Sequence, residues 1–223
     1  MIGLCVNKKY LTIAVCLWCV FTNVNAAPVT LMLGNFTAGD KADWEEQVFK
    51  GKTEYTFTPG KKGERALLVR SAASASGLHK KMTIDLTATP YLNWAWKIDN
   101  TLKGIDETTK KGDDYPVRLY VVVSGGLKFW KSEAINYVWS STARAPNATW
   151  PNAYTESVIM VAVDSGDGKM GTWVTHKRNL RDDLKRYFGK DVDSIDAVAL
   201  MVDTDNSGQK ATSYYGNIFM SSE

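Results

Sequence analysis

The chain has 223 residues, with 27 Lys and Arg against 24 Asp and Glu, and three cysteines. After residue 26 the balance is 25 Lys and Arg against 24 Asp and Glu, or +1, which argues against nucleic acid as the main partner, because phosphate binding normally shows as a basic surplus or stripe. All three cysteines (Cys5, Cys16, Cys19) fall before residue 20, so the rest of the chain has no disulfide, thiolate metal site or cysteine nucleophile.

The first residues have the order of an export signal. Lys8 and Lys9 precede the uncharged apolar run from Tyr10 to Phe21, and Val24-Asn25-Ala26 supplies the small residues expected at a cleavage site. The run is too short for an ordinary transmembrane helix, which needs about 20 residues. The alternative is an uncleaved anchor. A lipoprotein is disfavoured because Val15 and Trp18 stand where a small residue is needed before Cys16 and Cys19. The expected organisation is a signal peptide over 1–26 and a single periplasmic or secreted domain over 27–223. That domain is nearly neutral, and no segment in it could span a membrane. Lys61-Lys62, Lys80-Lys81 and Lys110-Lys111 read as solvated loop or edge-strand charges.

Short β-type runs follow, with polar or Gly-rich breaks and no linker or repeat. Val29–Asn35 is the first. Trp44–Phe49 and Thr53–Thr58 read as a hairpin around Lys50-Gly51-Lys52, and Pro59 to Gly63 reads as a loop. Ala66–Ala72, Gly77–Leu86 and Tyr91–Asp99 come next. In the last, Leu92, Trp94, Trp96 and Ile98 alternate with polar or small residues, the period of a strand with one buried face. Val117–Ser124 reads as a central strand that Gly125-Gly126 breaks, and Ala134–Ser140 as another. Residues 141–155 form a long Pro- and Asn-rich loop, and loops of this length are often functional. Val158–Asp164 and Thr172–Lys177 flank a turn at 165–168. One helix is signed over about 179–188, with Asn179 as its cap, Leu180, Leu184 and Phe188 on one face, and Gly189 as its stop. Ile195–Val202 and Ser213–Met220 close the chain. Many short strands with one helix predict an all-β fold, an antiparallel jelly-roll-type β-sandwich, with a closed barrel as the alternative.

A linked set of motifs runs through nearly the whole domain: Trp94-Ala95-Trp96-Lys97, Gly112-Asp113-Asp114-Tyr115, Arg118-Leu119-Tyr120, Asn136-Tyr137-Val138-Trp139, Arg178-Asn179-Leu180, Met201 to Asn206, and Tyr215-Gly216-Asn217-Ile218. In that order the set resembles a family of secreted bacterial proteins, domain of unknown function 3047. The resemblance carries no established activity. The general look is similar to the galactose-binding-like sandwiches found among carbohydrate-binding modules, an analogy of fold.

The acidic turn at 203–208 looks like a calcium loop. Asp203, Asp205, Ser207 and Gly208 fit positions 1, 3, 5 and 6, but position 12, a bidentate Glu in an EF-hand, is Tyr214, and the flanks are β-type. The turn is therefore either closed by its own Asp and Asn side chains or a ligand or calcium site of another geometry, with Asp203 and Asp205 as candidate ligands. Asp113-Asp114 invites either a cation, sugar hydroxyls, or a buried network with Arg118 or Arg178. The tryptophans beyond the leader are Trp44, Trp94, Trp96, Trp130, Trp139, Trp150 and Trp173. Sugar rings stack their C–H faces on such rings while nearby amides and carboxylates take the hydroxyls. Trp94 and Trp96 read as core, and Trp130 and Trp150, with Tyr137 and Trp139, as stacking candidates. The candidate ligand-binding set is Asp113, Asp114, Arg118, Asn136, Tyr137, Trp139, Trp150, Arg178, Asp205, Asn206 and Tyr215. His79 and His176 stand in no metal-ligand spacing, and zinc, nucleotide and nucleophile-elbow motifs are absent. The expectation is an exported carbohydrate-binding module without a required cofactor. Its competitors are a polysaccharide hydrolase or lyase and a structural protein of the cell envelope.

Overall fold

The structure is a computed structural model that describes residues 27–123 and 132–223; the expected leader, the Gly125-Gly126 break and Trp130 lie outside the described residues. Its strands are β1 (Thr30–Gly34), β2 (Glu45–Lys50), β3 (Glu54–Phe57), β4 (Leu67–Ala72), β5 (Ala75–Asp85), β6 (Tyr91–Ile98), β7 (Tyr115–Val123), β8 (Glu133–Ser140), β9 (Ala148–Pro151), β10 (Val158–Ser165), β11 (Val174–Asn179), β12 (Ser194–Asp203) and β13 (Lys210–Ser221). The helix, α1 (Leu180–Phe188), lies between β11 and β12.

Two sheets face each other. The six-stranded sheet has the order β11-β6-β13-β4-β3, with β1 paired to the second half of β13. The seven-stranded sheet has the order β2-β5-β12-β7-β8-β10-β9. Both sheets keep open edges, so the fold is a sandwich and not a barrel. Period-two alternation decides what goes between them. In β6, Leu92, Trp94, Trp96 and Ile98 are buried and their neighbours half-exposed. Val117, Leu119 and Val121 of β7 and Ile135, Tyr137 and Trp139 of β8 meet them from the other sheet. Trp94 stacks on Tyr137 at 5.3 Å between ring centroids, and Trp96 meets Trp94 edge-on at 5.5 Å.

Polar ties also cross the interior, among them those of Tyr215 and Asp164. The Tyr215 hydroxyl, on β13, lies 2.7 Å from Arg118 O and 3.0 Å from Met201 O, on β7 and β12, and accepts from Arg118 N–H. Asp164 of β10 accepts from Trp96 Nε1 and Lys169 Nζ and lies 2.7 Å from His176 Nε2 on β11. Burial would raise the Asp164 carboxyl, but these hydrogen bonds outweigh it and hold the group below its usual range. The helix is capped as its sequence specifies: Asn179 Oδ1 accepts from Arg181 N–H and Asp182 N–H, and Gly189 takes a left-handed conformation.

Three details depart from the sequence reading. β2 and β3 are not a hairpin: β2 pairs with β5 and β3 with β4, so Gly51, at φ 63°, turns the chain from one sheet into the other. β8 and β10 pair in parallel, one such pair in an otherwise antiparallel sandwich. The long loop carries a short strand, β9, that pairs with β10 at the sheet edge. A parallel pair requires a crossover of this length, and the connection uses it to extend the sheet.

Candidate functional site

The outer face of the seven-stranded sheet carries a groove. Its floor comes from alternate residues of β5, β12 and β7. Gly77 and Ala199 keep the floor low, and Phe49, His79, Tyr120 and Met201 stand around them. This part has a volume of about 280 Å³ and is mostly apolar. Phe49, Tyr120 and Met201 also line a second cavity of about 440 Å³, with Asp113, Arg118, Asn152, Tyr154, Asp203, Asp205 and Asn206 around it. The three shared residues make the two cavities one continuous groove. It crosses β2, β5, β12 and β7, a span of about 14 Å at the usual strand spacing.

The polar end is built by three loops. Residues 106–114 fold on themselves: Asp106 Oδ1 accepts from Thr108 N–H and its hydroxyl, Thr109 N–H bonds Asp106 O, and a turn of 3-10 helix over Lys110–Gly112 delivers Asp113 and Asp114. Gly112 packs backbone to backbone on Asp106: a Cβ there would lie 2.8 Å from Asp106 N and closer still to its carbonyl. Gly112→Ala is therefore expected to cost about 1–3 kcal/mol, the range for forced overpacking, and to shift the Asp113-Asp114 pair. Thermal denaturation checks it, and an unchanged Tm would mean that the loop relaxes freely. Glu107, which no sequence motif marked, anchors the same loop. It is buried and accepts from Ser140, Ser141 N–H and Arg144. Burial raises its carboxyl even against these bonds.

Asp114 closes the acidic turn. Its carboxylate accepts from Asn206 N–H at 3.2 Å and Ser207 N–H at 2.6 Å, so the 203–208 segment is pinned to the 106–114 loop. Lys50 ties β2 to the same turn through Asp205 O at 3.0 Å. From the third loop, Asn152 Nδ2 donates to Asp113 Oδ1 at 3.1 Å, and the Tyr154 hydroxyl reaches Lys110 O and Asn206 Oδ1.

Arg118 lies at the base of this end, 4 % exposed, with its guanidinium between the rings of Tyr115 (5.1 Å) and Tyr120 (5.4 Å). Nη2 donates to Asp203 Oδ2 in a short ion pair and lies 3.3 Å from Met201 Sδ. Nη1 is 4.0 Å from Asp113 Oδ2, and neither Nη1 nor Nε has a hydrogen-bond partner among the described residues. Burial pushes the Asp203 carboxyl up to about 8; Arg118 opposes this, and the nearby Asp114 and Asp113 charges add to it. Asp113 is likewise raised by burial against the pull of Arg118.

Of the residues singled out in the sequence, Asp113, Arg118, Asp203, Asp205 and Asn206 line one groove, and Asp114 supports it from behind. The others lie elsewhere. Tyr137, Trp139 and Tyr215 face the interior with no exposed surface and cannot stack on a sugar; their odd positions in β8 and β13 belong to the core face. The Tyr137 hydroxyl instead donates to Asp183, whose carboxylate also accepts from Arg178, so Arg178 serves the helix packing. Trp150 of β9 is buried in a small second cluster on the outside of the sheet, under the Arg144 guanidinium at 4.0 Å, and Asn136 is buried 3.5 Å from Met160 Sδ and hydrogen-bonded to the groove residue Tyr120. The groove residues that the sequence reading passed over are Phe49, Tyr120, Asn152, Tyr154 and Met201. Tyr120 carried a signal, since it shares a strand face with Arg118 two residues before it.

Asp114, Asp203 and Asp205 each present a carboxylate oxygen within 4.8 Å of the others. Protein donors already engage them: turn amides hold Asp114, Tyr115 N–H and Arg118 hold Asp203, and Lys50 lies 3.6 Å from Asp205. The turn is thus held by groups from outside it, Asp114, Lys50 and Arg118, and not by its own Asp and Asn side chains. No helix among the described residues is long and apolar enough to cross a membrane.

The chain belongs to the family described as Protein of unknown function (DUF3047), which it matches over residues 42–219. No curated protein matches it. Among solved structures it is similar to a family 11 carbohydrate-binding module from Clostridium thermocellum in complex with a beta-1,3-1,4-mixed-linked tetrasaccharide. The identity is 12 %, the match covers 86 % of this chain and 94 % of that one, and the TM-score is 0.45. It is also similar to the xyloglucanase domain of NopAA, a type three effector from Sinorhizobium fredii, in complex with cellobiose, at 11 % identity, 80 % and 92 % coverage and a TM-score of 0.46.

Proposed function

We propose that the protein is an exported glycan-binding module and that the groove on the outer face of the seven-stranded sheet holds the sugar chain. The observation that carries the reading is the make-up of that groove. An apolar floor with aromatic rings, Phe49 and Tyr120, leads into an end lined by Asp113, Asn152, Asp205 and Asn206. Sugar rings need both: flat apolar surface for their C–H faces, and amides and carboxylates for their hydroxyls. Phe49 is 67 % exposed and Tyr154 56 % exposed, and both line this one groove, so exposed aromatic surface is grouped there. Calorimetric titration of the purified protein with a panel of oligosaccharides tests the reading. Saturable binding by at least one class supports it, and a folded protein that binds none of them refutes it. Repeating the titrations in calcium and in EDTA decides whether the carboxylates of Asp114, Asp203 and Asp205 take a cation. New reducing ends in the same samples would replace binding with hydrolysis as the function of the groove.

A further inference from the structure

We propose that the polar end of the groove reads uncharged sugars through their hydroxyls and rejects acidic sugars, with Arg118 and Asp113 as the reading pair. The inference rests on the glycan reading above and adds the class of sugar to it.

Two features of the geometry combine. Arg118 is buried and lines the groove, yet its Nε and Nη1 have no acceptor among the described residues. Buried donors are nearly always paired, so these two mark a place where an acceptor is still to come. Beside them, Asp113 Oδ2 lies 4.0 Å from Nη1, too far for a hydrogen bond. A hydroxyl set against both groups accepts from the guanidinium and donates to the carboxylate. A sugar hydroxyl does both at one oxygen and can take the place of a water there.

The charge around the pair excludes the other acceptor that Arg118 would take. At the base of this end Asp113 and Asp203 face Arg118, with Asp114 behind them on the turn amides; nearer the rim Asp205 has Lys50, and Lys110 lies over Tyr154 at 5.4 Å. A uronate carboxylate would satisfy Arg118 but would stand against the surplus acids, and like charges brought together in a desolvated site discriminate strongly. Burial raises both carboxyls, Asp203 to about 8, so its charge is fully present only above that pH and the comparison of the two sugar classes belongs at pH 9. A neutral sugar meets the same groups without that penalty.

The test compares affinities for neutral oligosaccharides and for an oligogalacturonate of the same length, using wild type, Asp113→Asn and Asn152→Asp, with folding verified by circular dichroism. Wild type is expected to bind its best neutral oligosaccharide at least about tenfold more tightly than the uronate. Salt is expected to narrow that gap, because screening acts on the net repulsion of the charged ligand and leaves the neutral one unchanged. Asp113→Asn removes one facing charge and narrows the ratio by about tenfold. Asn152→Asp sits on a half-exposed loop, adds a charge and widens the ratio, so the proposal stays testable if the first variant folds poorly. A wild-type preference for the uronate overturns the proposal, as does a ratio that neither variant moves in a protein that binds glycans. Binding of no glycan at all defeats the underlying reading, and this one with it.

Discussion

Replacing Arg118 with methionine is expected to lower the Tm by roughly 10 °C at pH 9 and by much less at pH 5. The guanidinium is the one buried cation facing Asp113 and Asp203 at the base of the groove. Removing one partner of a buried ion pair leaves the other charge uncompensated, at a cost of about 3–5 kcal/mol. In a domain of this length each kcal/mol shifts the Tm by about 2–4 °C. The pH dependence follows from the carboxyls. Asp203 has a folded value of about 8, above the unfolded carboxylate range. A raised group contributes stability that is fully present below its unfolded pKa and is lost as pH rises through its folded pKa. Wild type itself therefore loses this contribution between about pH 4 and about pH 8. Without Arg118, which pulls both carboxyls down, Asp203 and Asp113 rise further. The variant then goes on losing stability above pH 8, where wild type has already lost this contribution, so its deficit is largest there. At pH 5, well below the folded value of Asp203, that carboxyl is protonated, the methionine faces it as a neutral group, and much of the deficit disappears. Thermal denaturation at pH 5, 7 and 9 measures the three gaps. Equal gaps at all three would mean that Arg118 acts by packing between Tyr115 and Tyr120 and not by charge.

Strand positions were legible in the sequence where one face of a strand is polar. The alternation in β6 placed Trp94 and Trp96 in the core, and Asn179, Leu180, Leu184 and Gly189 gave the helix and both of its ends. Pairing partners were less legible. Lys50-Gly51-Lys52 has hairpin chemistry, but the same left-handed glycine serves a turn between sheets, and nothing local distinguishes the two uses. β8 shows the limit for sites. Ile135, Tyr137 and Trp139 face the core, while Asn136 and Val138 are buried on the opposite face, so a strand covered on both sides has no exposed parity to read. Tyr137 and Trp139, two of the aromatics that the sequence favoured for stacking, were drawn from such covered positions. The acids were better placed because Asp113, Asp114, Asp203 and Arg118 need one another wherever they lie, and buried charges are paired. Tyr120 was missed because a groove depends on which strand faces remain uncovered, and that is a property of the whole sheet.

Tyr120→Ala is expected to weaken glycan binding by about 10- to 100-fold or more while leaving the fold intact. Tyr120 belongs to both parts of the groove and stands where the apolar floor meets the polar end. Truncating an aromatic anchor at the centre of a binding surface typically costs at least about 2 kcal/mol, and each 1.4 kcal/mol is a factor of ten in affinity. Its neighbours cannot substitute, because Gly77 and Ala199 offer no side chain of that height. The effect on stability is smaller. The ring is only partly buried, and the Tyr215 hydroxyl, not the Tyr120 hydroxyl, ties the sheets together. The decisive comparison is Trp173→Ala. Trp173 is 48 % exposed and lies against Gly216 and Tyr214 on the outside of the six-stranded sheet, away from the groove. As an exposed tryptophan it is the residue a search for stacking aromatics would choose first. Calorimetry on both variants separates the two faces of the sandwich. If Trp173→Ala abolishes binding and Tyr120→Ala does not, the sugar lies on the six-stranded sheet and the groove has another purpose. If the loss follows Tyr120 alone, the site is the groove between β2 and β7, and the acids at its polar end are the groups that meet the sugar.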